Sequence, residues 1–122
     1  MVAVESRRKA IESLYDGECT ITEYQKVKNS TTKMTKFEEV VVLERQPCRV
    51  SYERFNTVFV KDDANSVSQS TKLFIAPEVR IKPGSKITVT QNNVTTEYQK
   101  TGEPAVYSTH QEIELELFKG WA

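Results

Sequence analysis

The sequence predicts a mainly β protein: a small antiparallel β-barrel or sandwich with a short N-terminal helix and a mid-chain loop arm. Three observations predict it. Strand-like runs rich in Val and Thr, with apolar residues at a period of two, recur from Glu18 to Phe118. Turn residues separate about seven such runs, among them Pro47, Pro83-Gly84, Asn92-Asn93 and Gly102. No helical segment follows each strand, which argues against a parallel α/β sheet. The 122 residues suit a single domain over 1–122, because two cores would leave neither half enough interior.

Residues 3–15 form the helix, with Val4, Ile11, Leu14 and Tyr15 on one stripe and Glu5, Arg7, Arg8, Lys9 and Glu12 facing out. Asp16-Gly17 ends it, Gly17 supplying the left-handed closing residue. The β region spans 18–118. Cys19 and Ile21 alternate with Glu18, Thr20 and Thr22, a polar loop follows at 29–33, and 37–43 brings the β-branched run Val40-Val41-Val42-Leu43. Pro47 interrupts, and Cys48, Val50 and Tyr52 mark a third, half-buried strand. The segment at about 54–70 reads as an extended hairpin arm, with Phe55, Val58, Phe59 and Val60 strand-forming and 61–66 a turn. Lys72 to Ala76 is a buried strand that Pro77 stops. Val79 and Ile81 then lead through Lys82-Pro83-Gly84-Ser85, a type II turn, to the strand of Ile87 and Val89. Asn92-Asn93 turns the chain into 94–98, and Gly102-Glu103-Pro104 interrupts before Val106 and Tyr107. The last strand, 110–118, sets Ile113, Leu115 and Leu117 on one face and Glu112, Glu114 and Glu116 on the other.

Composition narrows the function. Lys plus Arg and Asp plus Glu are 17 each, so the molecule as a whole lacks the positive excess behind non-specific nucleic-acid binding. MVAVESRRKAIESLY carries no signal-peptide core and no segment approaches a membrane span, which predicts a soluble, cytosolically made protein. Cys19 and Cys48 fall in strand-like runs and read as small buried hydrophobes rather than a disulfide. The single histidine, His110, opens an amphipathic strand, and neither it nor the cysteines have metal-ligand spacing. Lys82-Pro83-Gly84-Ser85-Lys86 is a hairpin turn and not a phosphate loop, since it leads into a strand. The sequence thus predicts no enzyme, no metal and no cofactor. The aromatics are dispersed and mostly suit a core, which leaves no base-stacking platform. Trp121 either folds back onto the barrel or anchors a partner. Arg80, Lys82 and Lys86 against Glu112, Glu114 and Glu116 offer faces of opposite charge for head-to-tail self-association.

The late hairpin pattern Ile81, Gly84, Ser85, Ile87 and Val89, with His110, Glu112, Ile113 and Leu115 closing the domain, resembles the head-closure, or stopper, proteins of tailed bacteriophages and phage-derived tail particles. Ser85 stands where Asp is frequent in that pattern, and the helical start is longer. The resemblance implies a structural virion protein of the neck, made in the bacterial host cytoplasm. It further implies a ring of this chain, a hexamer, between the portal-bound adaptor and the tail or tail terminator, helping to retain packaged DNA, with no membrane partner. The arm, with Phe55, Phe59, Lys61, Asp62 and Asp63, would then project toward the DNA channel, the two aspartates facing DNA and repelling it. Competing readings are a tail-tube or tail-completion protein, a nucleic-acid-binding barrel of the OB type, and a small hydrolase using His110.

Overall fold

The computed structural model describes residues 2–56 and 67–121. Six antiparallel strands close into a barrel in the order β1-β2-β3-β6-β5-β4. Helix α1 covers Val2–Glu12, and the strands are β1 (Gly17–Lys28), β2 (Thr35–Asn56), β3 (Val67–Ile75), β4 (Lys86–Gln91), β5 (Val94–Val106) and β6 (Gln111–Leu117). The mainly β class and the short helix therefore stand, and the barrel alternative is the one adopted.

Alternation places one face of every strand inside. Cys19 and Ile21 of β1, Cys48 and Val50 of β2, Leu73 and Ile75 of β3, Ile87 and Val89 of β4, Tyr98 of β5, and Ile113 and Leu115 of β6 form the core with Ile81. Small barrels have room for little more than aliphatic side chains. Tyr98 is accordingly the one aromatic among the described core residues, and Tyr24, Phe37, Tyr52 and Tyr107 lie exposed, contrary to the expectation that most aromatics are core. Leu117, expected beside Ile113 and Leu115, is also exposed, because β6 ends there and its partner Tyr98 is the last β5 residue it meets.

Two predicted breaks are bulges. Pro47 lies within β2, opposite Glu18, and the register slips between Cys19/Ile21 and Ile21/Thr22 so that β2 carries extra residues around Val42 and Arg45. Arg45 takes the left-handed conformation, φ 52°, and the bulges let a strand containing proline bend and continue. Likewise, Gly102-Glu103-Pro104 forms a bulge in β5, with pairing to β6 on both sides, Thr101 to Glu114 and Ala105 to Glu112. The run at Val79 to Ile81 is not a strand. It belongs to a crossing segment, 76–85, whose Ile81 enters the core and whose backbone is held by the Gln111 side chain, Nε2 donating to the Ala76 and Val79 carbonyls. The type II turn is present, with Gly84 at φ 85° and the Ser85 N–H donating to the Lys82 carbonyl at 3.1 Å, but it leads into β4 and joins no paired strands.

Gly17 does not close the helix. α1 ends at Glu12, and the chain tightens through i+3 bonds such as Leu14 N–H to the Ile11 carbonyl. Gly17 instead opens β1 at the seam between β2 and β4, where a Cβ would meet Gln91 Oε1 at 3.0 Å and the carbonyls of Cys48 and Thr90 at 3.2 Å. That space is needed because the Gln91 amide there stands in for a neighbouring strand, accepting from Val50 N–H at 2.8 Å and donating to its carbonyl at 3.0 Å. The helix is tied to the crossing segment by Arg8, which donates to both carboxylate oxygens of Glu78, and the turn after it is tied to β2 by Arg49, which donates to the Leu14 carbonyl. Leu14, assigned to the buried stripe, is exposed.

Candidate functional site

The feature the sequence did not announce is an arm built by β1 and β2. Among the described residues β4 pairs with β1 only as far as Thr22, and β3 pairs with β2 only from Cys48. Beyond those points β1 and β2 continue as a two-stranded ribbon from Glu23 opposite Val40 to Lys28 opposite Thr35. Six residues at about 3.3 Å each carry it roughly 20 Å past the barrel. The tip is preorganised: Asn29 N–H donates to the Met34 carbonyl and Lys33 N–H to the Asn29 carbonyl, both at 2.8 Å, while Asn29 Oδ1 accepts from Thr31 N–H at 2.8 Å. Lys33 takes the left-handed conformation the turn requires.

Trp121 folds back and braces the base of this arm. Its ring stacks on Tyr24, centroids 5.1 Å apart, and Tyr24 stacks in turn on Phe37 at 5.5 Å. Phe118 meets Trp121 edge-on at 4.9 Å. The indole N–H donates to Glu39 Oε1 at 2.9 Å, and Lys86 Nζ reaches the same carboxylate at 3.0 Å while lying 5.8 Å from the Phe118 and Trp121 ring centres. The hydrogen bond from Trp121, then that from Lys86, holds the Glu39 carboxyl below its usual range, and Glu39 in turn raises Lys86. A cleft of about 210 Å³ runs between this brace and the Pro83 turn, lined by Glu23, Tyr24, Lys82 and Trp121.

The predicted charged faces are largely engaged within the chain. Lys86 bridges Glu39 and Glu97, Lys82 Nζ lies 3.7 Å from Glu23, and Lys72 Nζ lies 3.9 Å from Glu112. Glu116 accepts from Gln99 and lies near Lys119, so Glu114 is the exposed member of the acidic stripe that forms no ion pair among the described residues. Arg80 is exposed at the rim of a separate cleft of about 370 Å³ at one end of the barrel, with Lys100 and Glu103. Lys82, Lys86 and Trp121 thus meet at the brace, while Arg80 lies at the other cleft.

His110 is the partly exposed residue just before β6, as its place in the sequence predicts, and both of its ring nitrogens are engaged. Its Nδ1 shares a hydrogen bond with Thr109 Oγ1 at 2.9 Å and its Nε2 with Glu112 Oε2 at 3.0 Å, between the rings of Tyr107 and Phe74. An apolar groove of about 370 Å³ adjoins it, lined by Ile11, Leu14, Tyr15 and Phe74. Cys19 and Cys48 are buried and free, and contact with Cys19 together with burial pushes the Cys48 thiol far up, which leaves it inert as a nucleophile.

Of the predicted mid-chain arm, the structure describes the root. β2 and β3 pair from Glu53 opposite Ser70 to Asn56 opposite Val67, with Phe55 opposite Ser68, so a hairpin does run on past the last β3–β6 pair at Thr71. Phe59, Lys61, Asp62 and Asp63 lie outside the described residues. Among the described residues no helix is long and apolar enough to cross a membrane, and no group of His, Cys, Asp and Glu is arranged to hold a metal ion.

No family model matches the chain, and no curated protein matches it. A solved structure similar to it is that of the protein xkdH of the phage-like element PBSX from Bacillus subtilis, at 10% identity and a TM-score of 0.45, covering 82% of this chain and 91% of the other.

Proposed function

We propose that the chain is a structural, non-catalytic subunit of a tailed-phage neck: a head-closure component that sits as a ring, with six copies, between the portal-adaptor complex and the tail. The observation that carries this reading is the disposition of the two hairpins. They leave from opposite ends of the single strand β2, the β1–β2 arm at its Thr35 end and the β2–β3 hairpin at its Asn56 end. A rigid barrel with an extension at each end can engage a neighbour on either side, as a connector must. The Ile81, Gly84, Ser85, Ile87 and Val89 pattern supports the same family, since Ile81, Ile87 and Val89 are core and Gly84 makes the turn into β4.

In this reading the β2–β3 hairpin, with Phe55, Phe59, Lys61, Asp62 and Asp63, faces the channel, while Arg80 and Glu114 supply contacts between copies. The experiment is co-purification of the full chain with portal, adaptor and tail proteins of tailed phages. Capture by adaptor or tail protein in a multi-copy complex is expected, and a chain recovered alone from every combination contradicts the reading.

A further inference from the structure

We propose that the tip of the β1–β2 arm binds the phosphate backbone of double-stranded DNA, entering a groove as a two-stranded ribbon and without sequence preference. The chain is neutral overall, yet its positive charge is not evenly spread: from Lys26 to Phe37 there are Lys26, Lys28, Lys33 and Lys36 and no acidic residue. All of these lysines are exposed and none forms an ion pair among the described residues, in contrast to Lys72, Lys82 and Lys86. The register distributes them around the ribbon. Lys26 faces Phe37 and Lys28 faces Thr35 on one side, Lys36 faces Val27 on the other, and Lys33 stands in the turn.

That distribution selects the partner. A flat acidic protein surface would be met by one face, whereas a groove between two phosphate backbones is met by both faces and the tip together. Two strands lie about 4.8 Å apart, and such a ribbon with its side chains fits a major groove about 12 Å wide. Lysines on open strand edges also discourage edge-to-edge aggregation. That purpose does not account for Lys33, which stands in the turn and lies on no edge. The exposed Ser30, Thr31 and Thr32 add hydroxyls suited to phosphate oxygens. Lysine ammoniums act as point charges and read no base edges, so binding is non-specific. The ordered turn places the charges before contact, which lowers the ordering cost.

This proposal gives the arm a DNA contact where the neck reading gives it a protein neighbour; the isolated full chain, tested without any neighbour, decides the DNA contact, and co-purification decides the neighbour. Fluorescence anisotropy on two labelled 20-base-pair duplexes of unrelated sequence, between 50 and 200 mM salt, provides the measurement. Phosphate contacts by all the named lysines give a log–log salt slope near about −3.6, at about −0.9 per contact, with both duplexes alike. The combined variant Lys26→Ala, Lys28→Ala, Lys33→Ala, Lys36→Ala is expected to weaken binding at least tenfold at 50 mM salt and to flatten the slope. Its circular dichroism should match the parent, since none of the substituted residues touches the core. Lys9→Ala with Lys100→Ala, cations outside the arm, is expected to change neither quantity. No binding by the parent chain at 50 mM salt, or an unchanged affinity in the arm variant, overturns the proposal. So does arm-dependent binding to poly-glutamate without binding to DNA, which would assign the tip to an acidic protein partner.

Discussion

Leu73 and Ile113 are fully enclosed, and Leu73→Ala should cost about 2–5 kcal/mol in urea denaturation. Gly17→Ala should cost about 1–3 kcal/mol, because a methyl group has no space between the Cys48 and Thr90 carbonyls and the Gln91 amide. An unchanged urea midpoint would contradict that reading of the seam. Trp121 tests the brace of the arm, and as the sole tryptophan it reports on itself by fluorescence. The carboxyl of Glu39 is depressed in the folded chain, so its contribution is complete above the ordinary value of about 4.3 and is lost as pH falls through the depressed one. Trp121 emission should therefore shift in that acid window, ahead of unfolding, and Glu39→Gln should abolish the shift. Emission that stays constant until the chain unfolds would mean that Glu39 does not hold the indole.

At the scale of elements, the barrel bears the stability and the arm does not. Joining Gln25 to Glu38 through an Asn-Gly turn removes the arm but no core residue, and should change stability by only about 0.5 kcal/mol, as surface changes do. A loss comparable to that of Leu73→Ala would make the arm part of the folding unit. The sequence made the β class and the alternation of Cys19, Ile21, Cys48, Val50, Ile113 and Leu115 legible, because burial on one face of a strand writes itself at a period of two. It concealed the strand lengths. Proline has no N–H for a ladder, so Pro47 and Pro104 read as stops, whereas bulges at Arg45 and Gly102 absorb both. It concealed the β1–β2 arm for a different reason: the apolar residues of the ribbon, Tyr24, Val27 and Phe37, follow no period of two, and only its tip, at 29–33, is recognisable as a loop. Nor could spacing along the chain reveal that Trp121 would meet Tyr24 and Glu39, a contact made by barrel closure.

At the scale of the whole molecule, a strand 22 residues long ties both hairpins to one rigid core. Displacement of either end by a partner would be transmitted through β2, which is the mechanical property a closure ring between two assemblies needs. The engagement of Lys82 and Lys86 with acids of their own chain takes two of the predicted interface charges away from contacts between copies, so ring formation on a neighbour's template fits better than strong self-association in isolation. On the proposed neck reading, the chain alone should accordingly stay monomeric at micromolar concentration and assemble only on an adaptor. Native mass spectrometry of the complex formed with that adaptor is the decisive measurement. A closed complex carrying six copies of this chain is expected; a complex with a single copy, or an adaptor that leaves the chain monomeric and unbound, rules the neck reading out.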